Sequence, residues 1–261
     1  MMNGRCNRSA ISCRSDDESV SMDAFVLHAR PWRDTSLMVD WLTEEFGWIT
    51  TVQRGARQIG KKSPPRPMAF HRLTMQLAGR GELKTATQIE SVAVPHLLTG
   101  QALAVGFYFN ELLLRALHRN ASLPDLFHAY ARSLEQLAQP AVEFGVVIRR
   151  FECDLLIELG VGIDWRHTVD SGQTLAAEQM YWIDAQQGIL SDHPTGFSAS
   201  GRVLMAIADH LSLDIAADRR CARDLMHYLL RPHVGTALFH SRALWQAGLP
   251  AAPSTLMEKN P

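Results

Sequence analysis

The chain has 261 residues, 46% of them hydrophobic and 20% charged, which suffices for a buried core in one large or two modest domains and excludes disorder as the state of its body. Its formal net charge of -1 excludes a protein that is basic throughout, so any polyanion-binding surface has to be a local concentration of cations. No apolar run reaches the length of a membrane-spanning helix: the longest, Leu97 to Leu117, is broken by Gln101, Asn110, Glu111 and Arg115.

Residues 1–21 are polar, rich in Ser, Arg and Asp, aperiodic, and without the apolar centre of a signal peptide; they read as a disordered tail, with Met22 a candidate start of translation. From Ala24 the period is two. Short β-type runs fall at Ala24–His28, Thr35–Leu42, Trp48–Gln53, His71–Leu77 and Leu83–Ile89. Turn signals separate them: Arg30-Pro31, Glu45-Phe46-Gly47, the loop from Gly55 to Pro67, and Gly79-Arg80-Gly81. Five short strands in so little chain predict a small closed barrel over residues 22–96, because closure removes exposed edges.

Beyond residue 97 the period becomes helical. Leu97–His118 is apolar around most of its circumference and is predicted to be central to a bundle. Pro124–Ala138 opens with proline just inside a helix start, and Val142–Leu159 is stopped by Gly160 and Gly162. Residues 164–198 are irregular and suggest a short hairpin or loop insertion. Helices follow at about Ser200–Leu211 and Ala216–Leu230, the latter ended by Pro232 and Gly235, then a short segment at Thr236–Gln246. The helical domain is thus expected over 97–246, and 247–261 as a flexible tail. The fold class is α+β.

Charge is distributed unevenly over this plan. Residues 22–96 carry ten Lys/Arg against seven Asp/Glu, and residues 97–261 thirteen against seventeen. Between Arg54 and Lys84 stand eight cations, Arg54, Arg57, Lys61, Lys62, Arg66, Arg72, Arg80 and Lys84, against the single acid Glu82. They bracket a Gly/Pro-punctuated loop and continue along strands, so they can converge on one face suited to a phosphate backbone; a solvated charged surface is the plainer alternative. Trp41 alternates with Leu37 and Val39 and belongs in the barrel core. Trp32, in a turn beside Pro31 and Arg33, is the better candidate for stacking on a base.

Other constellations carry less. Asn110-Glu111, two polar residues within an apolar helix, are expected to tie that helix to neighbouring backbone or to an arginine. Arg149 and Arg150 flank a core stripe through Phe151 and are expected to pair with Glu111 or another acid. Arg231, His233, His240 and Arg242 form a second basic patch, which either binds an anion or simply complements a helix end. Asp164, His167, Asp170 and His193 are metal-ligand types without a convincing third and fourth ligand. The four cysteines, Cys6, Cys13, Cys153 and Cys221, form no C-x-x-C pair. No phosphate-binding loop, nucleophile elbow or H-E-x-x-H motif is present, so no enzyme and no cofactor are expected.

The blocks AFVLHARPWRDTSLMVDWLTEEFGWIT, GRGELKTATQIE, GFYFNELLLR, RRFECDLLIELGVGIDW and LRPHVGTALFHSRAL occur in order from about Ala24 to Gln246 and resemble the RecO family of bacterial DNA repair proteins. The resemblance implies an N-terminal OB-fold barrel and a helical domain in a cytoplasmic, nucleoid-associated recombination mediator. Such a mediator binds single- and double-stranded DNA, anneals complementary strands, and acts with RecR to load RecA on DNA coated by the single-strand-binding protein SSB. Contact with the C-terminal tail of SSB belongs to the helical domain in the family, and Arg115, Arg119 and Arg132 are the residues expected to make it here. Many members carry a four-cysteine zinc module after the segment matching GVGIDW; this chain has no cysteine there, so the zinc site is expected to be absent. Two other readings stay open beside this one: a protein-interaction scaffold with little DNA binding of its own, and a metal-dependent OB-fold nuclease using Asp164, His167 and Asp170.

Overall fold

The computed structural model describes residues 21–58, 66–79, 83–192, 194 and 196–248. Five strands, β1 (Ser21–Trp32), β2 (Ser36–Thr43), β3 (Gly47–Gln53), β4 (Leu73–Ala78) and β5 (Lys84–Ser91), close into a barrel of order β1-β2-β3-β5-β4. Neighbours are antiparallel except at the closure, where β3 and β5 run parallel and are bridged only at Thr51↔Lys84 and Val52↔Thr85. Ala24, Val26, Val39, Trp41, Ile49, Leu73, Met75 and Ala86 fill the interior. Trp41 is wholly buried, and its indole N–H donates to Thr51 Oγ1 at 2.8 Å, which satisfies the one polar atom of that ring.

The five expected strands and the OB-type barrel are present. One turn lies elsewhere: β1 runs through Arg30-Pro31 to Trp32, and the reversal is at Arg33–Thr35. Because β1 pairs with β4 only through Ser21–Ala24, its later half is unpaired on one side. A proline there costs no ladder bond.

The helical part comprises α1 (Gly100–Ala116), α2 (Pro124–Leu137), α3 (Phe144–Glu158), α4 (Gly201–Ala208), α5 (Ala216–Val234) and α6 (Ser241–Gly248). Helix α1 is central as predicted, touching β1, α2, α3, α5 and α6. The segment 164–198, expected as a hairpin or loop insertion, contains the hairpin β6 (Met180–Asp184) and β7 (Gly188–Leu190). A third strand, β8 (Phe197–Ser200), joins them in the order β7-β6-β8. Pro232 does not end α5 but sits within its last turn, and the helix closes at Gly235, whose N–H donates to Arg231 O. So close to the end, the missing proline N–H removes a single helical bond.

Barrel and bundle share one core. Phe25, Leu27 and Leu42 on the outer barrel face pack with Phe109, Phe127 and Tyr130, and the Phe25 ring lies 5.3 Å from Phe127 and 5.1 Å from Tyr130. A bulge between Val26 and His28 leaves Leu27 out of the β1–β2 register. Asn110, buried in α1, repairs the defect: its amide donates to Leu27 O at 2.9 Å, and its carbonyl accepts the Tyr130 hydroxyl at 2.6 Å. The α1–α2 connection docks against β3, with Asn120 N–H donating to Trp48 O at 3.0 Å. Gly47 is required there on two grounds, a φ of 61° and a Cβ position that would fall 1.8 Å from Ala121 O.

Candidate nucleic-acid interface

The turn after β3 carries Arg54 and Arg57, both exposed, and folds back on the β1–β2 turn. Arg57 N–H donates to Thr35 O at 2.9 Å, and its guanidinium to Arg33 O at 3.1 Å. Arg66 Nε donates to the carbonyl of Ala56, which is buried at the base of this loop. One mouth of the barrel therefore gathers Arg54, Arg57 and Arg66 next to Arg33 and the half-buried Trp32. Lys84 opens β5 beside Thr51, on the side of the barrel adjoining β3. Lys61, Lys62 and Arg80 lie outside the described residues.

Arg72 is not part of this group. It precedes β4 at the opposite barrel end, where its Nε donates to Asp23 Oδ2 at 2.8 Å and its guanidinium lies 5.7 Å from the centre of the Phe127 ring. Strand alternation puts Arg72 in line with Thr74 and Gln76. The helical part covers that end of the barrel, which no reading of the strand alone reveals.

A second set of side chains lies on the outer face of β1, β2 and β3, beyond the half that the helices cover. Asp40, only 3% exposed, accepts from Arg30 Nη1 at 2.8 Å, from Thr50 Oγ1, and at 3.4 Å from Trp48 Nε1. His28 Nδ1 stands 3.8 Å from the same carboxylate. Arg119, from the α1–α2 connection, lays its guanidinium 4.8 Å over the Trp48 ring. Asp40 thus holds Arg30 and an indole in a fixed array next to the arginine-rich mouth, with His28 alongside. Sequence reading did not single out His28, Arg30 or Trp48 for this surface. The available signal was the parity of β3, which turns Trp48, Thr50 and Val52 outward together.

The three arginines expected to meet an SSB tail do not converge. Arg115 donates to Glu111 and to the carbonyls of Ala237 and Leu238 at 2.6 and 2.8 Å, with its guanidinium 4.3 Å over Phe239. Arg119 faces the barrel, and Arg132 pairs with Asp154 of α3 at 2.9 Å. Arg231 and His233 occupy the last turn of α5, while His240 and Arg242 flank the start of α6. Arg149 pairs with Glu152 of its own helix, at 2.8 Å, and not with Glu111. Glu152 is fully buried and also accepts the Tyr108 hydroxyl; burial raises its pKa against the opposing pull of Arg149 and Tyr108.

The residues present after GVGIDW do not fit a tetrahedral zinc. Asp164 and His167 bond to each other at 2.9 Å, and Asp170 accepts both N–H and Oγ–H of Ser191. Among the described residues no group of three or more His, Cys, Asp or Glu could hold a metal ion; His193 lies outside them. No helix of the described residues is long and apolar enough to cross a membrane.

A closed five-stranded barrel with a cationic mouth, sharing its core with a helical bundle, defines the class: an OB-barrel protein with a helical companion domain. The family model "Recombination protein O N terminal" matches residues 18–95, and "Recombination protein O C terminal" matches residues 97–243. The chain belongs to the RecO family of DNA repair proteins. It is 38% identical over 232 residues to the DNA repair protein RecO of Cellvibrio japonicus, covering 87% of this chain and 97% of that protein. It is 33% identical to that of Erwinia tasmaniensis (88% and 94% covered) and 34% identical to that of Proteus mirabilis (85% and 91%).

Proposed function

We propose that this protein is a non-enzymatic recombination mediator that binds single- and double-stranded DNA and anneals complementary strands. With RecR, it helps to load RecA on DNA coated by SSB, in the cytoplasm and at the nucleoid. The observation that carries this reading is the barrel mouth: Arg54, Arg57 and Arg66 stand together beside Trp32, and no described carboxylate pairs with any of them. Lys84, beside β3, adds a further cation, and Lys61, Lys62 and Arg80 are assigned to DNA from the sequence alone. Cations that contact only phosphates bind any sequence, as an annealing protein requires. Neutralising two polyanions at once lowers the barrier to their encounter and leaves the base edges free to pair. Residues 22–96 supply the main DNA-binding surface in this scheme, and residues 97–246 supply the surfaces for protein partners, the SSB tail and RecR among them.

The test is annealing of complementary oligonucleotides by the purified full-length protein, followed by fluorescence quenching, with and without SSB. Acceleration in both conditions is expected. A protein that leaves the annealing rate unchanged while binding RecR or SSB would instead be a scaffold.

A further inference from the structure

The barrel wall is open between β3 and β5. Strand β5 begins at its two bridges to β3, so the earlier half of β3 has no strand partner on that side, and a cleft of about 230 Å³ lies there with the α1–α2 connection as its far rim. Phe46, Ile49, Leu77 and Leu83 supply apolar walls, and Lys84 and Arg119 flank it. A cavity of about 150 Å³ accepts a benzene ring, so this one has room for a larger planar ring. Leu83 is 46% exposed at the rim although it is a large apolar residue.

Resting on the DNA-binding reading above, we infer that this cleft seats one unstacked base of a single DNA strand, with the adjoining phosphate held between Lys84 and Arg119. Charge and continuity favour this occupant. Lys84 spends one N–H on Gly79 O at 2.7 Å, and an ammonium has two more to give. Arg119 stands 4.8 Å over the Trp48 ring with no described acid as partner, so its guanidinium can donate to a phosphate. Lys84 lies beside the end of β3, from which the chain passes directly to Arg54 at the mouth, so a strand crossing the arginines reaches the cleft without leaving the barrel. Apolar walls hold the faces of a base whatever its identity, which suits binding without sequence preference. The cleft combines Arg119 of the helical part with Lys84 of the barrel, so the DNA path spans both.

Two decamers separate the alternatives in a fluorescence anisotropy titration: oligothymidine, and an abasic chain with the same number of phosphates. The native protein is expected to prefer oligothymidine by about fivefold or more, the fold-change that stacking of one base produces. Leu83→Asn should remove most of that preference and leave the abasic chain bound as before. Arg119→Ala, on an exposed connection, should weaken both decamers alike and make the salt dependence shallower by about 0.7, the share of one phosphate contact. Equal affinity of the native protein for both decamers, or a preference that survives Leu83→Asn, overturns the inference and leaves DNA binding intact. So does loss of binding to an acidic, aromatic-ended peptide in Leu83→Asn with the base preference unchanged, because the cleft then belongs to protein. If neither decamer binds, the DNA-binding reading itself falls and this inference with it.

Discussion

Asn110 and Arg72 are polar residues that the structure uses to hold barrel and bundle together. The bulge at Leu27 takes a backbone carbonyl out of the β1–β2 ladder, and the Asn110 amide supplies its donor, while the carboxamide oxygen satisfies the buried Tyr130 hydroxyl. Replacing Asn110 by Ala orphans both groups. An unpaired buried polar group costs about 1–3 kcal/mol, so Asn110→Ala should lower the midpoint of urea unfolding without altering affinity for DNA. Sequence reading already expected Asn110-Glu111 to tie α1 to backbone or to an arginine, and the structure divides the task. Asn110 takes the backbone of β1, and Glu111 takes Arg115 together with the backbone ahead of α6. The partner atoms were beyond reach, because they lie 83 and 129 positions away in the chain.

Helix α6 begins on a borrowed cap. Its first turn lacks an acidic residue, and Glu111 of α1 accepts the N–H of His240 at 3.0 Å and both the N–H and the hydroxyl of Ser241 at 3.1 Å. Burial works to raise the Glu111 pKa, but these hydrogen bonds and the adjacent Arg115 outweigh it and hold the carboxyl below its ordinary 4.5. A carboxyl with a lowered folded pKa contributes stability that is present above the unfolded value and is lost as the pH falls through the folded value. Hydrogen exchange at His240 and Ser241 should therefore accelerate as the pH drops below 4.5, beyond the intrinsic pH dependence of exchange. At neutral pH Glu111→Gln should raise exchange there about 5- to 30-fold, the equivalent of about 1–2 kcal/mol. The local probe matters, because Glu152 has the opposite sign. Its raised pKa contributes stability that fades as the pH rises through the folded value, so global unfolding mixes the two.

For the molecule as a whole, the near-neutral total charge conceals a basic barrel mouth and an acidic helical half. If about five cations contact phosphates, the logarithm of single-strand affinity should fall with the logarithm of salt concentration at a slope near -3.5. Combining Arg54→Ala, Arg57→Ala and Arg66→Ala should make that slope shallower by about 2 and weaken binding for all sequences alike. Arg72→Ala is the control. It unpairs Asp23 at the seam between barrel and bundle, so it should leave the slope unchanged and lower thermal stability instead. A slope that responds to Arg72 and not to the mouth arginines would place the DNA on the wrong end of the barrel.

Alternation of period two from Ala24, turn residues between the runs, and the change to helical period after residue 97 made the barrel and bundle legible directly. These signals are local, arising from backbone geometry and from which face of each element avoids water. The arginine-rich mouth was legible for the same reason, since Arg54, Arg57 and Arg66 are close in sequence as well as in space. Closure of the barrel and docking of the bundle decided the rest. They turned Arg72 towards Asp23 and Phe127, placed Arg119 over Trp48, gathered His28, Arg30 and Thr50 around Asp40, and opened the cleft between β3 and β5. Each of these depends on pairs of residues distant in the chain. Which pairs meet is set by the packing of the whole core and not by any stretch of sequence.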